Sequence, residues 1–255
     1  MSGPHGDHLY VHGHSAIHDA APECKLLAQI LFAFAVVATP REAFWALGLD
    51  ALLVLVLLAA AELSPRTIAS RLWIEIPFVT FALLMPWMGS GPQVQIGGVW
   101  MYEAGLWSAW NILAKGTLGV LTAILIAATT PQAELLRGLS RLGLPDAFTQ
   151  ILTFMIRYFD VVAAESQRMR VARQSRGYDP RWLWQARAIA TSAGALFVRS
   201  YERGERVYLA MLSRGYTGAL PASDASSASV AQWGAALAFP IVAALLAGIA
   251  WNARP

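Results

Sequence analysis

From residue 233 to residue 251 the chain carries no charged side chain, and this run limits the possible folds more than any motif does. At about 1.5 Å per residue, a helix of this length matches the roughly 30 Å of hydrocarbon in a bilayer. Residues 43–61, 72–87 and 106–128 form three further apolar runs, each with a single charged residue. A shorter one, 25–38, stops at Thr39-Pro40 and crosses only if its flanks or local thinning help. Pro77 interrupts the third run, which membrane helices tolerate when neighbours satisfy the freed carbonyl. Hydrophobic residues make up 56% of the 255 and charged residues 14%. That is more apolar side chain than one soluble core of this size buries, so the excess faces lipid. The expectation is an all-α, polytopic helical membrane protein with about five transmembrane helices. No short apolar run ending in a cleavage site precedes the first span, which is therefore expected to do the targeting.

Positive residues are retained on the cytoplasmic side of a membrane. Thirteen of the 19 Lys and Arg residues fall in 131–232, beginning with Arg137 and Arg141 and ending with Arg214. This places 130–232 and the N-terminus in the cytoplasm and the 89–105 loop, which has no Lys or Arg, outside. The loop 62–71, with Arg66 and Arg71, lies inside, and Arg41 is the exception. Trp87, Trp100, Trp107 and Trp251 fall near the outer interface, as an aromatic belt does. The expected organisation is a polar segment 1–24, a four-helix region 25–129, a cytoplasmic segment 130–232, and a last span in 233–255.

The cytoplasmic segment reads as three helices. Thr130 caps the first, with Pro131 at its first position, and Gly143 and Pro145 end it. Asp146 caps the second, which runs to Arg176 and stops at Gly177. Asp179 and Pro180 start the third, which stops at Gly215, and a Ser/Ala-rich stretch, 219–229, leads to the last span. The apolar middles 151–162 and 188–198 are too short and interrupted for spans, and are expected along the inner interface or on another protein. Ala186, Ala190 and Gly194 recur every four residues, which lets a second helix approach closely, so the two long helices are expected to cross.

Chemistry is excluded more readily than assigned. The lone Cys24 rules out a disulfide framework and a Cys-based zinc cluster. No Walker A loop, H-E-x-x-H, G-x-S-x-G or G-x-G-x-x-G pattern occurs, so neither a catalytic residue nor a cofactor is expected. A net charge of +3 without a lysine-rich tail argues against nucleic acid as a partner. His5, His8, His12, His14 and His18 form a candidate cluster for cobalt or nickel. With no ordered acidic partner evident, a flexible polar terminus is the simpler account, and no metal site is assigned.

One repeat stands out. Residues 169–178 read MRVARQSRGY and residues 207–216 read VYLAMLSRGY. A single Arg-Gly ending is ordinary helix-stopping chemistry, a cation on the negative dipole end and a left-handed glycine. Two copies in one segment suggest docking, because an arginine at a helix tip offers a planar fork of donors to a carboxylate on another protein. A two-fold ATPase dimer would present such a surface twice.

With these two Ser-Arg-Gly ends before a last span, the sequence His14-Ser15-Ala16-Ile17-His18 followed by Pro22 and Lys25-Leu26-Leu27, and the element from Thr130-Pro131 to Pro145, the chain resembles the transmembrane (T) component of energy-coupling factor (ECF) transporters, of the cobalt-transport type. The resemblance covers nearly the whole chain and implies a non-catalytic subunit. Its long cytoplasmic coupling helices would dock into two ATP-binding cassette ATPase subunits and link them to a substrate-binding membrane subunit for cobalt or nickel. Ser175, Arg176, Gly177, Ser213, Arg214 and Gly215 would be the docking residues. Serine precedes each arginine where many relatives have alanine, a small-for-small change.

Asp50 and Lys115 lie inside spans, where an unpaired charge is costly. They could pair and fix helix packing. Glu75 lies near enough to the inner boundary to be solvated. The rival function is a self-sufficient secondary carrier or channel that uses Asp50, Lys115 and Glu75 along a pore, although carriers commonly repeat their membrane halves and the repeat here is in helix ends.

Overall fold

The structure, a computed structural model, describes residues 10–96, 98–178, 186–218 and 228–253. The described residues divide into two compact units, one comprising residues 10–142 and 228–253, the other residues 143–178 and 186–218.

The first unit is a helical membrane body. Its elements are α1 (Pro22–Ala38), α2 (Phe44–Ala60), α3 (Pro65–Arg71), α4 (Ile76–Met88), α5 (Glu103–Thr129), α6 (Gln132–Arg141) and α9 (Val230–Asn252), and a hairpin of β1 (Gln93–Ile96) and β2 (Val99–Tyr102). In the second unit, α7 (Asp146–Ser175) and α8 (Ala186–Leu212) form a helical pair. The core of the body joins Phe32 and Val36 of α1, Leu47, Val54 and Leu58 of α2, Leu118 and Leu125 of α5, and Ala243 of α9. Phe32 and Phe239 stack with centroids 4.3 Å apart. Outer faces stay apolar. Phe34 is 70% exposed, Leu52 57% and Leu245 61%, which in water would be untenable over so many residues and in lipid is the expected arrangement.

Four helical stretches are long and apolar enough to cross a membrane: Pro65–Met88, Glu103–Thr129, Asp146–Ser175 and Val230–Asn252. The chain is thus an all-α multi-pass membrane protein with about four long apolar helices and long helical segments like coupling helices. The expected third and fourth spans extend further than the sequence suggested, and α7 qualifies by length and composition although its apolar middle looked too interrupted. The helix Phe44–Ala60 is shorter.

Several local expectations are corrected. Pro77 does not interrupt the helix interior: a 3-10 turn, Leu72–Glu75, precedes α4 and places the proline in its first turn, where a helical N–H lacks an intrahelical partner anyway. Within α4 the interior proline is Pro86. The loop 62–71 is largely α3, whose N-cap Ser64 accepts from the Thr67 N–H. Thr130 does not cap α6. Its hydroxyl accepts from Lys25 Nζ at 3.1 Å, and Pro131 occupies the N-cap position. Asp146 lies one residue inside α7, with Pro145 at the N-cap and no side-chain cap bond. The expected start of the third long helix at Asp179-Pro180, and residues 219–227 of the linker, lie outside the described residues. The last helix opens with a capping box, Ser229 and Gln232 exchanging side-chain to backbone bonds.

Candidate functional site: two arginine-ended helices

The repeated Ser-Arg-Gly-Tyr folds the same way twice. At the end of α7 the Gly177 N–H donates to the Gln174 carbonyl (2.9 Å) and the Tyr178 N–H reaches back to the Arg173 carbonyl (3.1 Å). At the end of α8 the Gly215 N–H donates to Leu212 (3.0 Å) and the Tyr216 N–H to Met211 (3.0 Å). Both are Schellman ends, in which a left-handed glycine lets the next two amides recapture carbonyls the helix leaves open. Gly177 has φ +75° and Gly215 φ +83°, values that a residue with a Cβ adopts only at a cost. Ser175 bonds its own helix at Val171 and Ser213 at Ala210, so both serines are spent locally. Arg176 and Arg214 occupy the C-cap positions and are exposed. Among the described residues neither has an ion-pair partner.

The two helices pack antiparallel. Near the start of α7, the Gln150 amide nitrogen donates to the Gly218 carbonyl at 3.0 Å and its oxygen accepts from the Tyr216 hydroxyl. Further along, Glu165 takes Arg199 of α8 on one carboxylate oxygen and Arg168 of its own helix on the other. Between these two clasps lies an apolar cavity of about 430 Å³, walled by Phe154, Met155 and Tyr158 on one side and Ser200, Arg203 and Val207 on the other. Antiparallel packing sends the two arginine ends to opposite ends of the pair, about 40 Å apart at helical rise. The helices do meet, as expected, but away from the small-residue stripe: a Cβ added at Gly194 would meet nothing within 4 Å.

The intramembrane charges sit on three elements, Asp50 on α2, Glu75 on the 3-10 turn and Lys115 on α5. Asp50 is fully buried, and neither carboxylate oxygen has a hydrogen-bond partner among the described residues. Lys115 instead donates to the carbonyls of Val37 (2.8 Å) and Thr39 (2.7 Å), at the C-terminal end of α1. Trp251 Nε1 donates to Ala38 at 2.8 Å, and the Thr39 N–H covers Ala35 and Val36. The last carbonyls of this short helix are thus all satisfied, with a cation on the negative end of its dipole. Glu75 is buried and accepts from the Thr117 hydroxyl, correcting the expectation that it is solvated. No hydrogen bond joins any two of Asp50, Lys115 and Glu75 among the described residues.

At the other end of α1, buried Lys25 donates to the carbonyls of His18 (3.0 Å) and Thr129 (3.2 Å) as well as to Thr130. His18 is itself held by Ser15 Oγ (2.8 Å) and the Val11 carbonyl (3.1 Å). Both imidazole nitrogens are therefore occupied by the fold, and His18 ties the N-terminal segment to the end of α5. No group of three or more metal-ligating side chains occurs among the described residues. His5 and His8 lie outside them. Arg141 of α6 pairs with Glu23 of α1 at 2.9 Å. Sequence reasoning passed over Glu23, Gln150 and Glu165. The Glu165-x-x-Arg168 spacing was readable as a helix-surface pair, whereas the long-range partners gave no local signal.

A multi-pass helical membrane protein that carries two matched arginine-ended helices has the build of a coupling subunit. The cobalt transport protein family CbiQ matches residues 13–224, and the chain belongs to that family. The energy-coupling factor transporter transmembrane protein EcfT of Brevibacillus brevis is 28% identical over 221 residues, 82% of this chain and 83% of that protein. EcfT of Bacillus subtilis is 28% identical over 223 residues, 82% and 83% of the two chains. The cobalt transport protein CbiQ of Rhodobacter capsulatus is 28% identical over 128 residues, 49% and 52%. A match to an uncharacterized protein of Methanocaldococcus jannaschii spans 44% of that protein. The chain is the transmembrane coupling subunit of an ECF-type transporter, homologous to EcfT and CbiQ proteins, and is not itself an enzyme.

Proposed function

We propose that this chain links two ATP-binding cassette ATPase subunits to a substrate-binding membrane subunit of metal-ion type, and that Arg176 and Arg214, flanked by Ser175, Gly177, Ser213 and Gly215, are the docking points. The observation that carries the reading is the twin Schellman end: two exposed C-cap guanidiniums at opposite ends of one helix pair, a spacing suited to two copies of the same partner. On this reading 143–218 lies at the cytoplasmic face. The N-terminal segment, α6 and the start of α9 gather at one end of the membrane body, through the contacts of Lys25 with Thr129 and of Glu23 with Arg141 and the Ala228 N–H. This agrees with a cytoplasmic N-terminus and a cytoplasmic 130–232 segment. The cargo is cobalt or nickel, in line with the family's description as cobalt transport protein, with cobalamin synthesis as the consumer of the cobalt.

The carrier alternative gains no support, since Lys115 serves as a helix cap and Glu75 is held by Thr117. Co-purification of the ATPase subunits in mild detergent tests the proposal. Arg176→Ala and Arg214→Ala each reduce ATPase recovery and Co²⁺ uptake, and the double variant abolishes both. Wild-type recovery in the double variant overturns the docking assignment.

A further inference from the structure

The Arg214 end does more than present a guanidinium. Tyr216 closes the Schellman end with its backbone N–H and, through its hydroxyl, donates to Gln150 of α7. The same Gln150 side chain donates to the carbonyl of Gly218, a residue whose φ of +103° turns the chain. One amide thus uses its donor and its acceptor on two points either side of the turn that follows α8. The Gly218 carbonyl fixes its orientation, because exchanging oxygen and nitrogen would set two acceptors against each other there. Beyond this clasp, α7 and α8 are separated by the apolar cavity from Ile151 to Val162 and from Ser200 to Met211.

A glycine-ended helix followed by irregular chain is ordinarily a place where applied force bends the backbone. Here the turn is stapled to the first turns of the neighbouring helix. We propose that Gln150 is a positioning residue: it makes the Arg214 tip and the start of α7 one mechanical body, so that displacement of the tip by a docked ATPase is delivered into α7. The inference rests on the docking reading above and adds the path by which movement at one tip enters the other helix.

The test uses the transporter complex purified with its ATPase and membrane partners. Buried Cys24 is replaced by alanine, and an environment-sensitive fluorophore is attached at Phe159→Cys, a position 67% exposed on α7. In the otherwise wild-type complex Mg-ATP changes the emission. Gln150→Ala and Tyr216→Phe each cut that change at least twofold while ATPase co-purification and ATP hydrolysis persist, and the double variant is no worse than either single one. Gln150→Glu keeps the acceptor for the Tyr216 hydroxyl and retains more of the response than Gln150→Ala. A full response in Gln150→Ala and Tyr216→Phe, no nucleotide response in the parent complex, or loss of response only together with loss of assembly overturns the staple. Failure of the docking reading has a different signature: Arg176→Ala and Arg214→Ala complexes that assemble normally.

Discussion

Arg176 and Arg214 stand where a helix benefits from a positive charge, and any cation would offset the C-terminal dipole by about 0.3–1 kcal/mol. Lysine would therefore serve the helix equally well, whereas a bidentate hold on a carboxylate needs the guanidinium fork. Arg176→Lys and Arg214→Lys should leave the thermal stability of the purified chain unchanged and weaken ATPase association about tenfold, roughly 1.4 kcal/mol. Binding isotherms alongside melting curves separate the two effects. The glycines act differently, because alanine at φ +75° or +83° costs about 1–2 kcal/mol. Gly177→Ala and Gly215→Ala should fray the helix ends, visible as faster amide exchange at Tyr178 and Tyr216. The repeat and its glycine stops were readable from four letters occurring twice. The fate of Lys115 was not, since the carbonyls it caps belong to another helix and leave no mark in its own neighbourhood. Lys115→Met should destabilise the chain by about 1–3 kcal/mol by leaving the Val37 and Thr39 carbonyls without their donor. Asp50→Asn should change thermal stability little, because Asp50 has no hydrogen-bonded partner to lose. A large cost for Asp50→Asn would favour an Asp50–Lys115 pair.

Among the elements, α6 illustrates how glycine sets a contact. A Cβ at Gly138 would come within 2.9 Å of the Glu23 nitrogen and 3.0 Å of the Pro22 carbonyl carbon, both backbone atoms of the start of α1. Gly138→Ala should force α6 away, cost about 1–3 kcal/mol and strain the Arg141–Glu23 pair, measurable as a lower melting temperature in detergent. Gly105 is tighter still, 2.3 Å from the Met85 carbonyl oxygen, which brings α5 against α4 beside Pro86. The long helices of the membrane body were legible from apolar runs and breakers. The corrected features, Pro77 in a first turn, a helical 65–71 segment and Pro131 rather than Thr130 at the N-cap, each depend on a long-range or cooperative choice. Thr130 shows the mechanism: its hydroxyl accepts from Lys25, 105 residues away in sequence, while Pro131 takes the N-cap position.

At the scale of the whole molecule, two units divide the work. The membrane body is held by buried contacts among α1, α2, α5 and α9 and by polar ties at both ends of α1. The helical pair has few buried side chains and is joined by clasps at Gln150 and Glu165. Charge asymmetry made the second unit legible as the segment rich in arginine, but its antiparallel pairing was hidden because the contacts that set it lie away from the small-residue stripe that suggested crossing. Photo-crosslinking from the two tips in the intact complex tests the central claim most directly. With a benzophenone side chain at Ser175 or at Ser213, both positions should yield adducts with a nucleotide-binding subunit. Adducts with lipid alone at either tip, or none to the ATPase at both, would contradict the account.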